Sequence, residues 1–177
     1  MKWRLTTFAQ NLDKLMISEA TIDTILEKFD TQVLDYEQTV KEFADEQPAL
    51  FSFLIGDNEG VFSQDEEDFL LYLALVVYKS VEHERKELPI VEEKEINDAE
   101  EANWNLMEAN KSSDFRERLD IFYEKSPEEE LMAFVEDAVS GDTDAVSEDG
   151  ETFTMTTEGR EPMFVALKTV IDVLTKA

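Results

Sequence analysis

Ser63-Gln64-Asp65-Glu66-Glu67-Asp68-Phe69-Leu70-Leu71-Tyr72-Leu73-Ala74-Leu75-Val76-Val77-Tyr78 is the stretch on which the fold turns. Ser63 with Glu66 three residues on is a capping-box start. Asp65, Glu66 and Glu67 stand against the positive end of the helix dipole. Residues 69–78 then carry no polar group except two tyrosine hydroxyls. A helix that is apolar all round must be covered all round. Lys79, Arg85 and Lys86 fall toward its other end, where cations are favoured. The segment 64–86 is therefore predicted to be the central helix of an all-α bundle. Its ten-residue apolar run is about half of what a membrane-spanning helix needs.

Upstream, Leu5, Phe8, Leu12 and Leu15 line one face of a first helix, and the stripe breaks at Ile17-Ser18-Glu19. A second stripe runs Ile22, Leu26, Phe29, Val33, Tyr36, Val40 and Phe43, stepping by four and three. This spacing predicts one long helix or two collinear ones, with Thr31 as the cap of a new start. Gln47-Pro48 ends it, because the residue before proline avoids the α region. Pro48 opens a short apolar helix that Gly56 closes.

Downstream, Leu88-Pro89-Ile90-Val91 reads as an extended crossing. Starts are predicted at Asn97-Asp98, at Ser113 and at Ser126-Pro127-Glu128-Glu129, the last with Pro at the first helical position. From Asp142 to Gly159 the helical period disappears. Asp149-Gly150 is a turn signal, and Phe153 and Met155 alternate with threonines, which predicts a short irregular or β-hairpin excursion near 142–160. Pro162 is expected to reopen a helix, apolar through Leu174. The sum is a single acidic helical domain over 1–177, with about eight or nine helices.

Composition sets the limits on function. Forty-three Asp and Glu against sixteen Lys and Arg give a formal net charge of −27. Such a field repels nucleic acid and anionic membranes and attracts basic proteins. Twelve Phe within a 42% apolar chain exclude an acidic disordered tail. The absence of Cys removes disulfides, thiolate nucleophiles and Cys-ligated zinc, and suits a reducing cytoplasm. No export signal is read near the start, since Thr6, Thr7, Gln10 and Asn11 interrupt any apolar core.

No cofactor, metal or catalytic motif emerges. His83 is the only histidine, and it lacks the spacing of zinc-protease or di-iron motifs; it is read as a surface group at a helix C-terminus. Gly56 and Gly60 lack the Lys-Ser/Thr of a phosphate loop. No Gly-x-Ser-x-Gly elbow presents a nucleophile. The segment 142–151 fails as a calcium loop, because Val146, Ser147 and Phe153 occupy positions that need an oxygen ligand, Gly and a bidentate Glu.

Charge is unevenly spread, with thirteen acids and two bases over 124–161. The chain is accordingly read as a non-enzymatic interaction module, inhibitor-like, immunity-like, an adaptor or a mimic of nucleic acid, whose acidic surface meets a basic protein partner. Asp142, Asp144, Glu148, Asp149 and Glu151 are the candidate contact residues. The alternative is a small-molecule-binding or hydrolytic helical protein with a pocket between helices, lined by Tyr72, Tyr78, Trp104 or Phe residues.

Overall fold

A computed structural model describes residues 16–56, 60–141, 145–146 and 152–176. Among them run eight helices, α1 (Glu19–Asp30), α2 (Tyr36–Glu46), α3 (Pro48–Ile55), α4 (Gln64–Arg85), α5 (Glu93–Ala109), α6 (Phe115–Lys125), α7 (Glu129–Val139) and α8 (Thr157–Thr175). The helix expected over 5–15 lies outside the described residues.

The bundle forms around α4, as its apolar run requires. Ser63 Oγ accepts the Glu66 N–H at 3.2 Å while Glu66 Oε2 accepts the Ser63 N–H at 2.9 Å, so the capping box is complete. Residues 73–81 are buried without interruption, under α1, α2, α3 and α8. The centre is shared, because α8 also packs on α5 and α7 and buries most of its length. Phe164 of α8 meets Phe122 of α6 at 5.0 Å between ring centroids, joining that side of the core.

Polar groups set the register between helices. Buried Gln47 donates to the Pro89 carbonyl at 3.0 Å and accepts from the Val91 N–H at 2.9 Å, which holds 88–91 extended between α4 and α5. Asn103 of α5 donates to Thr169 at 3.2 Å and to Asp172 at 3.0 Å, both on α8. Each buried polar group finds a partner there, as burial demands.

Several helix starts differ from those read in the sequence. Thr31 closes α1 instead of opening α2, because Gln32 turns into the left-handed region at φ 57° and Asp35 caps α2 by accepting the Gln38 N–H. The α5 cap is Glu92, boxed with Glu95, five residues before the expected Asn97. Asp114, not Ser113, caps α6. Ser126 ends α6, and α7 begins only at Glu129. Glu128 is diverted there: it is 1% exposed and its Oε2 accepts the Ile17 N–H at 3.0 Å.

The largest shift concerns α8, which begins at Thr157, five residues before Pro162. A proline that far into a helix costs one backbone hydrogen bond. The Thr156 cap and its tie to Glu66 supply a start strong enough to carry the helix through it. The excursion before it shows only Ala145 opposite Phe153 and Val146 opposite Thr152. Two residues per side are shorter than an ordinary strand. The described chain is thus all-helical, and the β-hairpin is not supported.

Candidate functional site

The five acidic residues expected to meet a partner, Asp142, Asp144, Glu148, Asp149 and Glu151, lie outside the described residues. The described surface offers a different carboxylate array. Glu19, Asp23, Glu27 and Asp30 of α1 step by four, four and three, and all four are exposed. At 1.5 Å per residue they form a ladder about 16 Å long on one helix face. No ion pair among the described residues reaches any of them.

This face is built by the inner side of the same helix. Ile22 and Ile25 are buried against the core, and Ser18 caps the start by accepting the Thr21 N–H at 3.2 Å. Thr21 in turn donates to Glu84 of α4, which fixes the rotation of α1 on α4. Other acidic helices are compensated locally. Lys94 pairs with Asp98 at 2.5 Å on α5, and Arg116 of α6 pairs with Glu136 of α7 at 3.0 Å. The α1 face has no such cation, because its one lysine, Lys28, lines a depression beside α4.

That depression lies beside a second one on the same side of α4. The first, about 280 Å³, lies between the C-terminal ends of α1 and α4. Ile25 and Leu34 give it an apolar side, and Lys28, Lys79, His83 and Lys86 give it a basic one, with Glu82 the sole carboxylate. Lys79 is held by Glu82 at 2.7 Å and Glu42 at 3.3 Å. Burial opposes its charge, but the two carboxylates prevail and raise its pKa. The hydrogen bond from Gln38 and the nearby Lys79 charge lower the Glu42 pKa.

The second depression, about 390 Å³, is lined by Tyr78, Glu46, Glu87 and Leu88 and shares Glu82 and Lys86 with the first. Tyr78 is fully buried against Phe43 at 4.9 Å, and its hydroxyl donates to Glu46. Burial and that carboxylate push the phenol pKa far up, so it is a fixed donor and no acid near neutral pH. Tyr72 is half-buried with its ring edge on Phe29 at 5.8 Å, and neither it nor Trp104 lines these depressions. His83 is exposed in the last turn of α4.

Among the described residues no group of three or more Asp, Glu and His side chains is placed to hold a metal ion. No helix there is long and apolar enough to cross a membrane. The α1 ladder is masked in the sequence by the apolar stripe that runs through the same residues. The signal was present in the complementary positions 19, 23, 27 and 30. The chain matches no protein-family model, no curated protein and no solved structure.

Proposed function

We propose that this protein is a non-enzymatic interaction module, working in the cytoplasm, whose acidic surface engages a basic protein partner. The observation that supports this reading is the uncompensated carboxylate ladder on α1. Like charges at i, i+4 destabilise a helix by about 0.2–0.5 kcal/mol per pair. A face that accepts this three times without a cation is costly for stability alone, and it is what a cationic surface would pair with. Its charge density argues against imitation of nucleic acid. Four charges over about 16 Å fall well short of the duplex value of one per ~1.7 Å.

The test is affinity capture from the source cell at low and then moderate salt. Wild type is compared with the amide variant Glu19→Gln/Asp23→Asn/Glu27→Gln/Asp30→Asn. A basic protein retained by wild type and lost from the variant supports the proposal. Identical captured proteins with both chains overturn it. Micromolar binding to random duplex DNA would equally contradict it, since no phosphate-neutralising cluster drives such binding.

A further inference from the structure

We infer that the outer face of α3, with the residues beside its two ends, is a self-association surface that a second copy of this chain covers about a two-fold axis. This goes beyond the interaction reading and does not rest on it. Every residue of α3 except Ser52 is apolar, and a helix apolar all round must be covered all round. Leu50 and Leu54 are buried where α3 packs on α2, α4 and α5. Pro48, Ser52 and Ile55, spaced by four and three, are exposed on the other side. Ile55, at 57% exposure, leaves a large aliphatic side chain in water at the end of that row.

Both ends of α3 extend the face. Gln47, immediately before the helix, holds the Pro89 carbonyl and the Val91 N–H, which pins the extended 88–91 crossing at the head of α3. Side chains alternate along an extended segment, and here Val91 is buried while Ile90 is 68% exposed. At the other end only three residues separate Gly56 from Gly60. Val61, 45% exposed, therefore lies within about 18 Å of Gly56.

Charge selects the occupant. The chain is 33% charged at a net −27, yet residues 47–56, 60–64 and 88–91 hold no charged side chain. Two copies repel wherever their carboxylates face each other. On this face a basic partner finds nothing to pair with, whereas an apolar, uncharged surface is complementary to itself. A two-fold axis brings the same patch of both copies together. Carboxylates stand at the rim, since Asp45 and Glu46 precede Gln47 and Glu92 and Glu93 follow Val91, all exposed. An eight-residue helix is about 12 Å long, so the contact falls at the small end of specific interfaces and gives a weak dimer.

Sedimentation equilibrium of the full, tag-free chain in about 0.15 M and about 0.5 M sodium chloride tests the surface. Expected is a monomer–dimer equilibrium with a Kd of about 10–100 µM, several-fold tighter at the higher salt because the rim is screened. Capture of a basic partner responds to salt in the opposite sense, so the failure of one reading is distinguishable from the failure of the other. Ile55→Glu and Ile90→Glu, both at exposed positions, should each weaken the dimer about tenfold or more with an unchanged circular dichroism spectrum. Val33→Glu, an exposed apolar position before the far end of α2, controls for the added charge and should leave the Kd unchanged. A monomer at about 0.5 mM, well above that Kd, in both salts overturns the proposal. A dimer that salt weakens, or one that Ile55→Glu and Val33→Glu weaken equally, also overturns it. A monomeric chain that loses a captured protein on Ile55→Glu has a different chain as its occupant, and the second-copy assignment is then overturned.

Discussion

Glu66 and Thr156, ninety residues apart in sequence, join the N-termini of α4 and α8 through one carboxylate. Glu66 Oε1 accepts the Thr156 N–H at 2.9 Å and its hydroxyl at 2.6 Å, while Oε2 closes the α4 capping box on Ser63. Thr156 Oγ1 then accepts the Gly159 N–H at 3.1 Å and caps α8. Two positive helix ends thus converge on one anion that is only 1% exposed.

Removing that anion is expected to loosen both helices. Glu66→Ala strands the Ser63 and Thr156 donors and should cost about 2–3 kcal/mol by urea denaturation at neutral pH. Burial works to raise the Glu66 pKa, but its hydrogen bonds outweigh burial and the folded value is lowered. The stabilisation is therefore complete above the unfolded pKa of about 4.3 and is lost as pH falls through the folded value. The gap between wild type and Glu66→Gln should be constant from neutral pH down to about 5 and shrink below about 4. A gap that widens on acidification would show that the sign is wrong.

Gly159→Ala should destabilise the protein although alanine is the better helix former. A Cβ there meets Glu66 Oε1 at 2.8 Å, Met155 Cε at 2.8 Å and Thr156 Oγ1 at 2.9 Å. The propensity gain of about 1 kcal/mol is smaller than overpacking combined with a displaced cap, about 2–3 kcal/mol. Thermal unfolding should show a net fall in melting temperature, and a rise would mean that α4 and α8 are less closely joined.

Leu75 and Leu71 separate what the sequence suggested was uniform. Read alone, 69–78 implies that an aspartate at either position abolishes folding. Leu75 is 0% exposed, but Leu71 is only half-buried. Leu75→Asp should leave no cooperative transition, because an unpaired buried carboxylate costs several kcal/mol of a total near 5–15. Leu71→Asp can turn its charge to water and should fold with a lowered melting temperature. Equal behaviour of the two variants would contradict the placement of α4.

Local signals were legible where their partners were local. The Ser63–Glu66 box, Pro48 at the head of α3 and the Gly56 stop all concern residues within a turn of each other. Glu66 read as a capping residue and nothing more, because Thr156 is distant in sequence. Ser126-Pro127 resembled a helix start, yet Glu128 is drawn to Ile17 across 111 residues. The basic hollow was illegible for the same reason, since Lys28 and Lys86 meet only when α1 lies on α4. The five acidic residues expected to meet a partner between 142 and 151 fall outside the described residues.

Gln32 and Lys86, the two non-glycine residues with positive φ among those described, should both accept glycine with gain. Gln32 is exposed, and Gln32→Gly should stabilise by about 0.5–1 kcal/mol through relief of the left-handed penalty. Lys86→Gly should stabilise comparably, since its φ of 42° lies in the same region. Chemical denaturation midpoints of the two variants provide the check.

The α1 ladder makes a prediction about salt that stability and binding share. Glu19–Asp23, Asp23–Glu27 and Glu27–Asp30 are three like-charge neighbours, about 1 kcal/mol of repulsion in all. The fourfold amide variant should therefore be the more stable protein in dilute buffer. Successive charges at i, i+4 are separated by about 6 Å along the axis. The screening length is about 30 Å at 0.01 M, 10 Å at 0.1 M and 3 Å at 1 M. The stability gap should persist at about 0.1 M salt and close toward about 1 M, as wild type gains more from added sodium chloride than the variant. Melting temperatures across that series measure it. If the gap does not depend on salt, the carboxylates are not repelling one another, and the face is not retained at a cost for a basic partner.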